Sequence, residues 1–290
     1  MEAANNDNLN IIFGFSFPVI TEGLANSIMS FGQMTPIVTS SISGKKAIIN
    51  GYRRFSILSR NNIDPVFFEI PEVPLERAFI VYLVENSSIR RFNIVEKVRI
   101  CRFIVQNEIT VPNSILNSAQ LGNIQKNSDL YEFIESIEEN KRLTLVKRDT
   151  TTNLVEKLQR MGTSLSNRII EIIEKNNLTH QQTREFIESI YLGFMREMDL
   201  DRIISDIYNL SFDETKRYLK SSMNPIISRM ESDFYSFSSG FKNIELQPPQ
   251  NFEGDYYRIS CRFRTEEDLV GISRELTDLI KKWKTNPILK

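Results

Sequence analysis

Lys46-Ala47-Ile48-Ile49-Asn50-Gly51-Tyr52-Arg53-Arg54-Phe55-Ser56-Ile57-Leu58 passes from a strand pattern into a helix pattern across a single glycine. Lys46–Ile49 is short and isoleucine-rich, as strands are. Over Gly51–Asn61, Phe55, Ile57 and Leu58 give a partial helical face. Glycine at such a junction lets a ligand approach the backbone closely. Free amides at a helix start, with Arg53 and Arg54 beside them, suit an anion.

Upstream, Pro36–Thr39 predicts a second short strand, joined to the first through a turn at Ser43–Gly44. Downstream, Pro65–Ile70 predicts a third strand and Leu75–Val84 a strongly apolar helix. Asn93–Ile109 predicts another helix, with Ile94, Val98, Cys101 and Val105 at helical spacing. Strands interleaved with helices at this density predict a compact α+β domain over residues 1–109. Glu85-Asn86 follows the apolar helix and offers hard oxygen ligands of the kind that hold Mg2+ on a triphosphate. Arg90 and Arg91 come within one or two turns of that pair.

Residues 110–240 read as all-helical. Leu130, Phe133, Ile134 and Ile137 share one face, Ile169, Ile170, Ile172 and Ile173 another, and Phe186, Ile187, Ile190 and Phe194 a third. Thr179 with Gln182 and Ser211 with Glu214 have capping-box spacing. Gln120–Leu130 contains Gly122, where a helix-turn-helix turn would lie, but its flanks are poorly patterned. Lys141, Arg142, Lys147 and Arg148 form a local basic cluster able to meet DNA phosphates; a solvated helix end explains it equally well. Gln247–Gln250, with Pro248 and Pro249, reads as a linker. In residues 251–290, Tyr256–Arg264 alternates as a half-buried strand does, and Leu269, Ile272, Leu276, Leu279 and Trp283 stripe the next helix. One strand and one helix are too little to fold alone. The strand needs a partner, either from the helical region or from a second copy of the chain.

Composition bounds the rest. With 41% hydrophobic and 25% charged residues, the chain is neither mainly disordered nor fibrous. The polar segment Met1–Asn10 predicts a short disordered tail and no secretory signal. No apolar run reaches the length of a membrane span, so an association with membranes is not expected. Cys101 and Cys261 are too few and too distant for a disulfide framework or a zinc site, and one histidine, His180, reads as an exposed first-turn residue. A net charge of −1 gives no global support to nucleic-acid binding, so any DNA contact has to be local.

Taken in order, Gly32-Gln33-Met34-Thr35-Pro36-Ile37-Val38, Asn50-Gly51-Tyr52-Arg53-Arg54, Val84-Glu85-Asn86, and then Asn93 and Glu96 resemble the N-terminal domain of the ParB-like (ParB/sulfiredoxin) superfamily. The likeness covers about Ile20–Val105 and rests on three separated motifs agreeing in order and distance. It implies a ParB/sulfiredoxin-like α/β domain that binds CTP with Mg2+, hydrolyses it slowly, and uses it to close a dimeric clamp on DNA. It implies that Gly32, Gln33, Gly51, Arg53 and Arg54 face the phosphates, with Arg90 close by, and that Glu85 and Asn86 hold the metal. It further implies chromosome or plasmid partition, a cytoplasmic, nucleoid-associated location, a homodimer joined through the C-terminal segment, and a partition ATPase as partner. Two positions depart from the family pattern. Tyr52 stands where the family carries glutamate, and the family's arginine falls at Ile89, with Arg90 one residue, about 100° of helix, further on. These departures keep two other readings open. One is a superfamily phosphotransferase that uses ATP, with Glu85 or a nearby carboxylate as base; the other is a non-enzymatic adaptor that keeps the fold without the nucleotide.

Overall fold

Ser43 and Gly44 both take positive φ, 52° and 73°, and so close a two-residue hairpin between β1 (Ile37–Ile42) and β2 (Lys45–Asn50). This is the turn expected from sequence, seen in a computed structural model that describes residues 9–122, 129–254 and 256–285. The strands are antiparallel, with Thr39 opposite Ile48 and Ser40 opposite Ala47. β3 (Phe67–Glu69) joins the other side of β1 in parallel, giving the sheet order β2-β1-β3. The protein is thus a mixed α+β structure, mostly helical, with a small N-terminal sheet.

Ala47, Ile48 and Ile49 are all buried, so β2 is covered on both faces and reads as a continuous apolar run. Ile48 joins Ile28, Ile37, Ile57 and Leu58 in a core cluster. That cluster ties the sheet to α1 (Glu22–Phe31) and α2 (Tyr52–Arg60). α3 (Leu75–Ile89) packs against β2. It runs five residues past the expected end at Val84 and takes Glu85-Asn86 into the helix. α4 (Ile94–Gln106) starts at a complete capping box, in which Asn93 and Glu96 satisfy each other's backbone amides. Phe13, Phe15, Phe79, Tyr82 and Phe103 form an aromatic cluster, with the Phe79 and Phe103 ring centroids 5.1 Å apart.

After α5 (Asn113–Ser118) come α6 (Asp129–Ser136), α7 (Glu139–Lys147), α8 (Thr152–Met161), α9 (Thr163–Lys175) and α10 (His180–Met195). Contacts divide the chain into two compact units, Met1–Phe194 and Met195–Lys290. Helices α5 to α10 belong to the first unit with the residues before 110, and ion pairs tie α6 and α7 to α4. Glu135 on α6 accepts from Arg99 on α4 at 2.6 and 3.2 Å, and also from Arg142 on α7, whose guanidinium lies over the Phe17 ring. Burial alone raises the Glu135 pKa, but the two guanidiniums together outweigh it and hold that carboxyl below its ordinary value. The helix-turn-helix turn considered around Gly122 runs into residues 123–128, which lie outside the described residues. The tail expected at Met1–Asn10 lies outside them too, except for Leu9 and Asn10; Asn10 bridges to Ala47 beside β2.

The second unit contains α11 (Leu200–Ile207), α12 (Phe212–Met223) and α13 (Pro225–Ser238). The Ser211–Glu214 capping box opens α12 as expected. β4 (Ile244–Gln247) then pairs antiparallel with β5 (Arg258–Cys261), and α14 (Glu266–Thr285) follows. The partner that the C-terminal strand needed is therefore supplied by its own chain, from the residues just before Pro248. Ile244, Leu246, Ile272 and Leu279 are buried together with Phe234 and Phe241. β5 itself is exposed along its length, unlike the half-buried strand expected. His180 is exposed in the first turn of α10, as its sequence position implied. Burial pushes the Cys101 thiol up to about 12, consistent with an inert core residue. Among the described residues no helix is long and apolar enough to cross a membrane.

Candidate functional site

Gly51 turns the chain from β2 into α2 with φ +99°, a conformation that side chains rarely adopt. The turn leaves the first amides of α2 without helical acceptors. It also opens a recess of about 210 Å3 in the first unit. Its polar lining includes Asn50, Gly51, Arg53, Arg54, Asn86 and Arg90, drawn from the β2–α2 junction and from the end of α3. Its apolar floor includes Phe13, Ile48 and Ile49.

Burial lowers the pKa of Arg53 and of Arg54; for Arg53 the neighbouring Arg90 adds to the effect and Glu96 opposes it. Both are desolvated cations, which an incoming anion would relieve. They differ in their present bonds. Arg53 donates to the Thr21 hydroxyl at 2.7 Å and the Val19 carbonyl at 3.2 Å, and so ties α2 to the chain before α1. Arg54 donates only weakly, to the Pro36 carbonyl at 3.3 Å; its buried Nε has no partner, and it makes no ion pair among the described residues. Arg90 is committed elsewhere: its Nη1 donates to Glu96 Oε2 at 2.6 Å and its guanidinium stacks over Phe92. Tyr82 also lines the recess; its buried hydroxyl has no partner, and burial raises its pKa.

Gly32 and Gln33 are not part of this lining. Gly32 ends α1 with φ +75°. The Gln33 carboxamide is spent on the chain itself: its Nε2 donates to the Val66 carbonyl and its Oε1 accepts from the Val66 amide, both at 2.7 Å. It acts as a strand-like clasp at the start of β3. Glu85 is exposed on α3 and outside the recess. Asn86 lines it, with its Nδ2 bonded to the Tyr82 carbonyl at 2.9 Å and to Asn50 at 3.4 Å. The acid and the amide therefore do not converge, because adjacent helical residues point about 100° apart. A recess lined by three guanidiniums and no carboxylate does not fit a metal held by the protein alone. Among the described residues there is also no group of three or more His, Cys, Asp or Glu side chains placed to hold one. Tyr52, one of the two departures from the ParB-like pattern, lines the recess and packs against the core cluster of α1 and α2; Ile89, the other, lines it while 76% exposed.

Sequence reasoning gave Glu96 no role of its own. Only 1% exposed, it accepts from the Phe17 amide at 3.2 Å, the Asn93 amide at 3.1 Å and Arg90, and so fixes where Arg90 points. The Asn93-x-x-Glu96 spacing was the signal that could have found it. In the basic cluster, Lys141 pairs with Glu138 at 3.4 Å, Arg142 with Glu135, and Arg148 bonds to Asn177. Lys147 is exposed.

Gly51 gives a direct test of the turn. An added Cβ would lie 3.0 Å from Arg54 Nη2 and 3.3 Å from the Ile37 Cα. Gly51→Ala is expected to cost about 1–3 kcal/mol of unfolding free energy, measured in urea. Unchanged stability would mean that the turn relaxes without strain.

No protein-family model matches the chain, and a comparison with curated proteins finds no relative.

Proposed function

We propose that the chain is a ParB-like DNA-partition or nucleoid-associated protein whose first unit takes the phosphates of CTP at the start of α2. One observation carries this reading: Gly51, Arg53, Arg54, Asn86 and Arg90, from separated stretches, line one recess. Desolvated guanidiniums beside free helix amides favour a phosphate electrostatically. Arg54 is the chief contact in this reading, since it has the least to give up. Mg2+ would arrive on the triphosphate. Hydrolysis is not required, and DNA contact falls to local cations such as Lys147.

Calorimetry of the full chain with CTP, and separately ATP, in Mg2+ tests the nucleotide. Saturable heat with CTP is expected, weakened about tenfold or more in Arg54→Ala, because a charge-assisted hydrogen bond contributes about 1.5–3 kcal/mol. If neither nucleotide gives heat, the CTP reading fails. The alternative is then an adaptor that keeps the fold, favoured by the prior commitments of Arg53 and Arg90 and by a recess smaller than the ~300–1,000 Å3 of most ligand sites. For DNA, affinity should fall steeply with salt; a flat response would speak against phosphate contacts.

The reading includes a homodimer through the C-terminal segment. Among the described residues β5 pairs with β4 alone, and Ile259, Phe263 and Leu269 nearby are 46%, 57% and 44% exposed. A second copy added along that edge would extend the sheet and cover them. Light scattering is expected to give twice the mass of one chain, and Ile259→Lys to give one. A wild-type monomer across the micromolar range would exclude the dimer.

A further inference from the structure

A larger recess, about 480 Å3, lies in the first unit between the start of α4, the end of α5 and the start of α8. That volume falls within the range that encloses small ligands. Its lining includes Arg91, Lys97, Gln120, Asp149, Thr150 and Thr151. Two cations thus face one carboxylate.

Three independent features point the same way. First, α8 is ten residues long and opens without a side-chain cap: Thr151 sits at the N-cap with extended backbone, yet its hydroxyl makes no cap bond. The first amides of the helix therefore lack acceptors on the side of the recess. Second, Lys97 is partly buried and makes no ion pair among the described residues; its Nζ donates to the neutral Gln120 carboxamide at 3.0 Å. Burial lowers its pKa, Asp149 opposes that, and Arg91 adds to it. Third, Thr150 is 5% exposed, lines the recess, and its buried hydroxyl oxygen has no hydrogen-bond partner. An uncapped helix start alone is ordinary. Beside a desolvated ammonium short of counter-charge, with an unpartnered hydroxyl buried next to it, it gathers donors at one recess.

We infer that this recess binds the phosphate or diphosphate group of a small ligand, held by the opening amides of α8, Lys97 and Arg91. The inference is independent of the recess at α2. Phosphate could reach it as a free small molecule or on a DNA backbone; its volume, about 480 Å3, favours the small molecule.

Pyrophosphate titrated into the full chain by calorimetry tests this. Saturable binding is expected and is retained in Arg54→Ala, which weakens the recess at α2; in that background it is about tenfold weaker with Lys97→Met, as loss of one charge-assisted bond implies. Thr151→Asp separates binding from folding. Aspartate is a favoured N-cap, so the helix should melt no earlier than in wild type, yet its carboxylate would take the anion's place and, in the Arg54→Ala background, abolish binding. The inference is overturned if wild type shows no saturable heat, or if adding Thr151→Asp leaves the binding of Arg54→Ala unchanged. It is overturned equally if Arg54→Ala loses the binding, or if only duplex DNA and not pyrophosphate binds.

Discussion

Glu96→Ala is expected to lower the unfolding free energy by about 3–5 kcal/mol, the range for removing one member of a buried, hydrogen-bonded ion pair. The Glu96 side chain is 2% exposed and that of Arg90 25%. Deleting the carboxylate strands the Arg90 guanidinium, the Phe17 amide and the Asn93 amide together, and breaks the capping box of α4. Most of the loss comes from leaving those donors unpaired rather than from a missing attraction. The double variant Arg90→Met with Glu96→Gln is therefore expected to recover part of it. Urea unfolding of the two variants and wild type measures this. A single-variant loss below about 1 kcal/mol would show that water reaches the stranded groups and that the network matters little.

Phe79→Ala is expected to cost about 3–5 kcal/mol by transfer and cavity formation. The ring is fully buried, 5.8 Å from Phe13, 6.2 Å from Phe15 and 6.3 Å from Tyr82, centroid to centroid. Its neighbours are themselves interlocked rings, which cannot collapse into the gap without breaking other edge contacts. Phe31→Ala is the control: Phe31 is 76% exposed, and its loss should fall within about 0.5 kcal/mol of wild type. The denaturant midpoint should fall in Phe79→Ala with the slope unchanged. Equal effects at the two positions would mean that the aromatic cluster does not hold the first unit together.

Much of the architecture was legible because it is local. The β1–β2 hairpin follows from Ser43-Gly44 between isoleucine-rich runs, α2 from the apolar spacing after Gly51, and α12 from the Ser211–Glu214 box. Part of the candidate site followed too, since Arg53 and Arg54 adjoin a glycine that has to turn. α1 was missed because it buries little, only Ile28, and because Thr21 spends its hydroxyl on Arg53 instead of capping the helix. β4 was missed because four residues ahead of two prolines look like the edge of a linker.

The sequence by itself determined which segments form hairpin, helix and glycine turn, because those choices depend on torsions and on spacing within a few residues. It also placed the arginine pair at a helix start. Only the tertiary structure decided that Gln33 clasps Val66, that Arg90 turns to Glu96, and that β5 pairs with β4. Each is a choice of partner between residues that sequence distance does not pair. A side chain's partner is whichever donor, acceptor or charge burial brings within bonding reach, and that proximity exists only after the chain has packed.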